Sequence, residues 1–268
     1  MLRSFVVVLL PLFFCLPLFA QQAAFDAGLA AKDRGHYATA IRAWLPLAEA
    51  GSAEAANNIG HMYEEGLGVA QNYGEAMDWY RKAALQELAQ AQHNTGLLYY
   101  NGYEEAVRWY RRAAEQGFAQ AQHNLAEKYA NGRTVSENDV EAMRWFRLAA
   151  NQGLAASEYM LGLAYQSGEG AELDYTEARR WFLLSARQGY ADAQMMYAYM
   201  LLAGDGDSER EAAPARAYVW AQVAARHGQQ GADDIRALAV ILMDNEEVPE
   251  ADALVELCMS QGLASCPE

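Results

Sequence analysis

Cysteine is nearly absent from this chain, and its scarcity narrows the chemistry. Three occur in 268 residues, Cys15, Cys258 and Cys266, with none between the first and second. No cluster with metal-ligand spacing can be built from them. The nucleophile and metalloprotease signatures are missing as well: there is no Gly-x-Ser-x-Gly, no His-Glu-x-x-His and no Ser-x-x-Lys, so those hydrolytic centres are not encoded. Positive charge is scarce too. Lys and Arg number 20 against 35 Asp and Glu, a net charge of −15. A field of that sign repels phosphate backbones and anionic membrane surfaces, which excludes nucleic acid as a partner. No catalytic residue, cofactor or metal is assigned from the sequence.

Long apolar runs are confined to the N-terminus. Arg3, an apolar stretch from Phe5 to Phe19 broken by Pro11 and Pro17, and Ala20 before Gln21 and Gln22 have the layout of a secretory signal peptide. The stretch is shorter than the roughly 20 residues a spanning helix needs. Cleavage near Ala20 is expected, giving residues 1–20 as signal and a periplasmic or secreted chain without membrane insertion. Phe14 before Cys15 is too large for a lipoprotein site. Removing Arg3 with a segment that holds no acid takes the mature net charge to −15 − 1 = −16. The remaining chain has no Pro/Gly/Ser-rich linker, which suits a repeat array read as one domain.

What the chain does have is one unit, repeated. AVRWYRRAAEQGFAQAQHN around Ala106 returns as AMDWYRKAALQELAQAQHN at Ala76, AMRWFRLAANQGLAASEYM at Ala142 and ARRWFLLSARQGYADAQMM at Ala178. Trp79, Trp109, Trp145, Trp181 and Trp220 are spaced by 30, 36, 36 and 39 residues, and Trp44 stands in the slot of Tyr80, Tyr110, Phe146 and Phe182. Alanine, the aromatic pair and Ala-Ala follow i, i+3, i+4, i+7 spacing, so all six tryptophans are read as buried helix stripes. A period of this length means stacked helical hairpins.

Gly60, Tyr63, Gly66, Gly68, Val69, Ala76, Trp79, Tyr80, Ala83 and Ala84 resemble the Sel1-like repeat, a relative of the tetratricopeptide repeat. The resemblance covers five copies over residues 52–228, after a degenerate tetratricopeptide-like copy over 21–51 and before a helical cap over 229–268. It implies an all-α solenoid whose first helices line a concave face and whose work is adaptor binding. Some cysteine-rich members of the family are described as β-lactamases or penicillin binders, but those carry a cysteine pair in each repeat, which this chain lacks. A structural spacer is the third reading.

The paired glycines Gly66/Gly68, Gly168/Gly170 and Gly204/Gly206 are expected to make turns, since no strand precedes them and no Lys-Ser/Thr follows as a phosphate loop requires. Asn72, Asp139 and Asp174 are placed to cap second helices. Gly96 to Ala106 is six residues shorter than Gly60 to Ala76, so a tighter turn and a local change of pitch are expected there. Acidic pairs such as Glu64/Glu65 and Glu104/Glu105 read as solvated surface. His93 and His123 share one slot of adjacent repeats. Adjacent helices lie about 8 to 10 Å apart while a shared metal needs roughly 2.0 to 2.1 Å to each nitrogen, so hydrogen bonding between repeats is the expected role.

By the tetratricopeptide likeness, the slots Asn57, His93, His123, Tyr159 and Met195, and one turn further His61, Leu97, Glu127, Leu163 and Tyr199, face the concave groove. They grade from polar to aromatic and aliphatic, a composition suited to a protein or peptide partner. In the cap, Pro249 and Gly262 bracket a last helix. Cys258 and Cys266, an even pair in an oxidising compartment, are expected to bridge.

Overall fold

The computed structural model describes residues 18–99, 103–131, 138–207, 211–244 and 246–268. These residues form helices, and the chain divides into two compact units, 1–98 and 99–268. The division falls inside the third repeat. Residues 100–102, on which the expectation of a tight turn rests, lie outside the described residues, as does most of the signal segment.

The first unit holds α1 (Leu18–Asp33), α2 (Tyr37–Glu49), α3 (Ala53–Glu65), α4 (Tyr73–Ala84) and α5 (Ala89–Leu98). The second holds α6 (Tyr103–Glu115), α7 (Ala119–Ala130), α8 (Asp139–Ala150), α9 (Ala155–Ser167), α10 (Tyr175–Arg187), α11 (Ala191–Ala203), α12 (Pro214–Arg226), α13 (Ala232–Leu242) and α14 (Glu247–Gln261). Within each unit every helix packs on the one before and the one after until α13. Alternate first helices also touch, α3 with α5 in the first unit and α11 with α13 in the second, so in each unit these first helices lie side by side.

One contact recurs inside the hairpins. A small residue of the first helix faces the aromatic that follows the Trp slot in the second. A Cβ on Gly60 would stand 2.7 Å from the Tyr80 ring, and one on Gly162 2.5 Å from Phe182. The degenerate first hairpin uses the same device, Gly28 against Trp44, whose indole donates to the Phe25 carbonyl at 3.1 Å. All six tryptophans are buried. Truncating such a side chain typically costs about 3–5 kcal/mol, so these contacts hold the hairpins closed.

The glycine pairs make the turns as expected. Gly66, Gly168 and Gly204 take left-handed conformations that end the first helices. Gly68, Gly170 and Gly206 have φ of +73°, +73° and +79°, and a Cβ there would come within 2.5 Å of the backbone of Ala38, Asp139 and Tyr175. The loop thus rests on the preceding second helix, and a side chain would lift it off. Asn72 and Asp174 cap their helices through two backbone amides each. The third assignment needs correction: Asn138, not Asp139, accepts from the Glu141 amide, and Asp139 is the first helical residue.

At the C-terminal end α13 and α14 both pack on α12. The tail returns to the array, where the Trp220 indole donates to the Pro267 carbonyl at 2.7 Å and Arg187 pairs with Glu268 at 2.6 Å. Cys258 and Cys266 are buried with Cα atoms 5.0 Å apart, the separation a bridge requires. Among the described residues no helix is long and apolar enough to cross a membrane.

Candidate functional site

The ten slots expected to form a groove fall in both units. In the first, Asn57 is buried and its carbonyl accepts from the Asn94 amide at 3.0 Å, so it ties α3 to α5. His93 is half-buried beside Asn94, and burial lowers its pKa. Leu97 is half exposed, and so is His61, whose Nδ1 lies 3.9 Å from Glu64. His61, Glu64 and Glu65 form the one His/acid group with metal-like spacing among the described residues, their ligand atoms within 4.8 Å of one another. Glu64 already accepts from the Tyr80 hydroxyl at 2.5 Å, so it is a packing residue and not the freely solvated charge expected. We assign the group no metal. A recess of about 410 Å³ in this unit lies elsewhere, lined by Gln21, Gln22, Phe25, Leu47 and Ser52 among others.

In the second unit the remaining slots lie on α7, α9 and α11. His123 Nδ1 stands 2.9 Å from the Ser157 hydroxyl of the next repeat, its ring meets Phe146 edge-on at 5.3 Å, and Nε2 is 3.7 Å from Glu127. Burial lowers its pKa, partly opposed by Glu127. This is the hydrogen bond between repeats that the duplicated histidine suggested. Tyr159 stacks obliquely on Tyr190 at 5.2 Å and on Phe182 at 5.8 Å, and burial raises its hydroxyl pKa with Asp192 and Tyr190 adding to it. Leu163 lines a recess of about 130 Å³ with Met143, Phe146 and Met160. Met195 fills space between repeats: a Cβ on Gly231 would lie 2.8 Å from its sulfur. Glu127 is partly exposed and Tyr199 is 48% exposed. The surface that a partner could touch is therefore Glu127, Tyr159 and Tyr199, with His123 behind them.

Two features escaped the sequence reading. Tyr190 and Asp192, at the start of α11, join this face through Tyr159. The signal was present in the residue after each Gln-Gly, Phe118, Leu154 and Tyr190. The second is a buried polar ladder. Gln92, Gln122 and Gln194 each donate to a carbonyl at the end of the preceding helix, Ala84, Ala114 and Ala186, at 3.0–3.2 Å. Gln122 and Gln194 in turn meet Gln152 and His227. Glu158 takes the same slot in α9, is only 4% exposed, and accepts from Gln188 at 2.7 Å. Burial raises its pKa. That perturbed carboxyl has the position and partners of a structural residue, because its counterparts in three other repeats are glutamines.

Stacked hairpins closed by a glycine-to-aromatic contact, with amides satisfying the helix ends between them, define an α-solenoid of helical repeats. The Sel1 repeat profile matches residues 53–88, 89–118, 119–154, 155–190 and 191–229, and the chain belongs to the Sel1 repeat family. A Sel1 repeat protein from Oxalobacter formigenes shares the fold with a TM-score of 0.72 at 31% identity, over 79% of this chain and 88% of that one. The protective antigen c5321 of uropathogenic Escherichia coli superposes with a TM-score of 0.80 at 25% identity, over 91% of this chain and 54% of its own. A sel1-like repeat-containing protein of Acanthamoeba polyphaga mimivirus is 49% identical over 45 residues, which are 17% of this chain and 8% of the viral protein. This chain thus spans about half of c5321 and a small part of the viral relative. Sel1 repeat proteins typically mediate protein–protein interaction and are generally non-catalytic.

Proposed function

We propose that this protein is an exported, non-catalytic adaptor that holds a segment of another envelope or secreted protein against the first-helix face of its second unit. Arg3, the apolar run and Ala20 support export with cleavage near Ala20. The observation that carries the binding reading is the juxtaposition on α7, α9 and α11 of an exposed Tyr199, the Tyr159–Tyr190 pair and the acids Glu127 and Asp192. Tyrosines with their rings part-packed and their edges open lose little conformational freedom on binding and serve as anchors, while acids at the rim select orientation. Asn57 and Met195 are left out of the contact surface because both are taken up in packing. Leu163 remains a candidate at its margin, and His61, His93 and Leu97 remain candidates on the first unit, taken by itself.

Tyr199 is the cleaner probe, since Tyr159 also packs on Phe182. Tyr199→Ala should weaken partner binding by about 1–4 kcal/mol, the range of an interface anchor, with helical content by circular dichroism unchanged. Trp145→Ala should lower the melting temperature first and binding only in consequence. Unaltered affinity in Tyr199→Ala, with the fold intact, would count against this face.

A further inference from the structure

The small-residue slot that closes each hairpin continues into the cap, and there it is open. Gly28, Gly60, Gly96, Ala126, Gly162 and Ala198 occupy it in successive first helices and all are buried. Ala237 of α13 is the next member, 39 residues beyond Ala198, the same step that separates Trp181 from Trp220, and it is exposed. The reason lies in the packing. α13 takes the place of a first helix, resting on α12 and touching α11, but the helix that follows it, α14, packs on α12 instead of on α13. Among the described residues, nothing covers the side of α13 that α1, α3, α7, α9 and α11 each present to their own second helix.

Beside Ala237 on that side stand the apolar Val240 and Ile241, 42% and 76% exposed, with Asp233 and Asp234 one turn before it; Leu238 (54%), in the slot of Tyr199, and Leu242 (59%) carry the exposed apolar surface round toward the first-helix side. The rim is acidic. Asp233, Asp234, Asp244, Glu246 and Glu247 are all exposed, and Arg236 of the same helix is paired with Asp233 at 2.9 Å. A second copy of this chain would bring the same acids against them, and an anionic lipid surface would be repelled. A positively charged helix meets neither objection.

We propose that the open face of α13 is a second docking surface, distinct from the first-helix face of α7–α11, and that it takes a cationic amphipathic helix of a partner protein. The incoming helix completes the unfinished hairpin. It sets a large apolar side chain over Ala237, as Trp44 lies over Gly28, Tyr80 over Gly60 and Phe182 over Gly162. Its Lys and Arg flank that stripe and meet the acidic rim, a helix-in-groove contact with complementary charge.

The test uses the full chain and two synthetic amphipathic peptides with one Leu/Trp face, the other face bearing Lys in one and Glu in the second. Affinities are measured by fluorescence anisotropy, with sedimentation velocity on the protein alone. Ile241→Asp is the informative variant because it adds negative charge while spoiling the apolar face. Simple attraction between a cationic peptide and an acidic protein makes it bind more tightly; docking makes it bind more weakly. The expected result is that the Lys peptide binds the unaltered chain, that Ile241→Asp weakens it by roughly tenfold or more, and that Val140→Asp, the same charge on the 70% exposed Val140 of α8, does not. Ala237→Gln, which adds bulk in the slot without charge, should also weaken it. Far-ultraviolet circular dichroism checks that each variant is folded. Tighter or unchanged binding in Ile241→Asp, equal binding of the Glu peptide, or no binding of either overturns the proposal. A dimer of the unaltered chain that Ile241→Asp disperses overturns it in favour of a second copy.

Discussion

The glycine-to-aromatic contact makes a sign-changing prediction at Gly162. A Cβ added there stands 2.5 Å from Cδ1 and Cε1 of Phe182 and 2.9 Å from Cζ, and the ring is fully buried. Ordinary contact begins near 3.4 Å, so the ring or the helix must move by about 1 Å, a displacement a close-packed interior resists. Overpacking of this kind typically costs about 1–3 kcal/mol. Replacing a mid-helix glycine by alanine gains about 1 kcal/mol in helix propensity. Gly162→Ala should therefore destabilise by about 1–2 kcal/mol net, a fall in melting temperature of roughly 2–8 °C for a protein of this size. In a Phe182→Ala background the clash is gone and only the propensity gain remains, so the same substitution should stabilise by up to about 1 kcal/mol. Phe182→Ala itself costs about 3–5 kcal/mol, so the cycle is best read from urea midpoints monitored by circular dichroism. If Gly162→Ala stabilises the parent protein, or destabilises both backgrounds alike, the contact does not close the hairpin as described.

Two further outcomes are expected. Glu158→Gln places in α9 the residue its slot holds in α5, α7 and α11. A buried carboxyl with a raised pKa binds its proton more tightly folded than unfolded, so its folded form is favoured at low pH and stability is lost as pH rises through the folded value. The glutamine variant should thus melt higher at pH 7, by the few degrees that a hydrogen bond of about 1 kcal/mol confers, with the advantage shrinking toward pH 4; a variant no more stable at pH 7 contradicts the ladder. Intact mass of the exported protein addresses both ends of the chain. It should begin at Gln21 and weigh two hydrogens less than after reduction, whereas a retained Met1 refutes cleavage and two thiols titrating before reduction refute the Cys258–Cys266 bridge.

The architecture was legible because the repeat is written in large and small residues that pattern reasoning sees. The Trp spacing set the hairpin register, and the glycine pairs marked turns that their positive φ requires. Even the Asp139 error was avoidable. Asn72 and Asp174 stand four residues before Ala76 and Ala178, and four before Ala142 is Asn138. The glutamine ladder was not legible, since polarity in a helix reads as exposure, while Gln92 and Gln194 are fully buried to satisfy carbonyls of another helix. Of the groove slots, periodicity chose the side but not the depth. Asn57 is consumed by Asn94 and Met195 by Gly231, contacts between non-adjacent segments that no single helical wheel contains. The open face of α13 is invisible for a similar reason: its apolar run reads as core until α14 is seen to pack on α12 instead.

Site-specific photocrosslinking in the native envelope tests the adaptor claim most directly. A photoreactive residue replaces either Tyr199 on the first-helix face or Val140 on a second helix, two well-exposed positions at 48% and 70%. The account predicts one dominant protein adduct from position 199 that is absent from position 140 and diminished by Glu127→Ala. The same adduct from both positions, or a dominant adduct only from position 140, would contradict it.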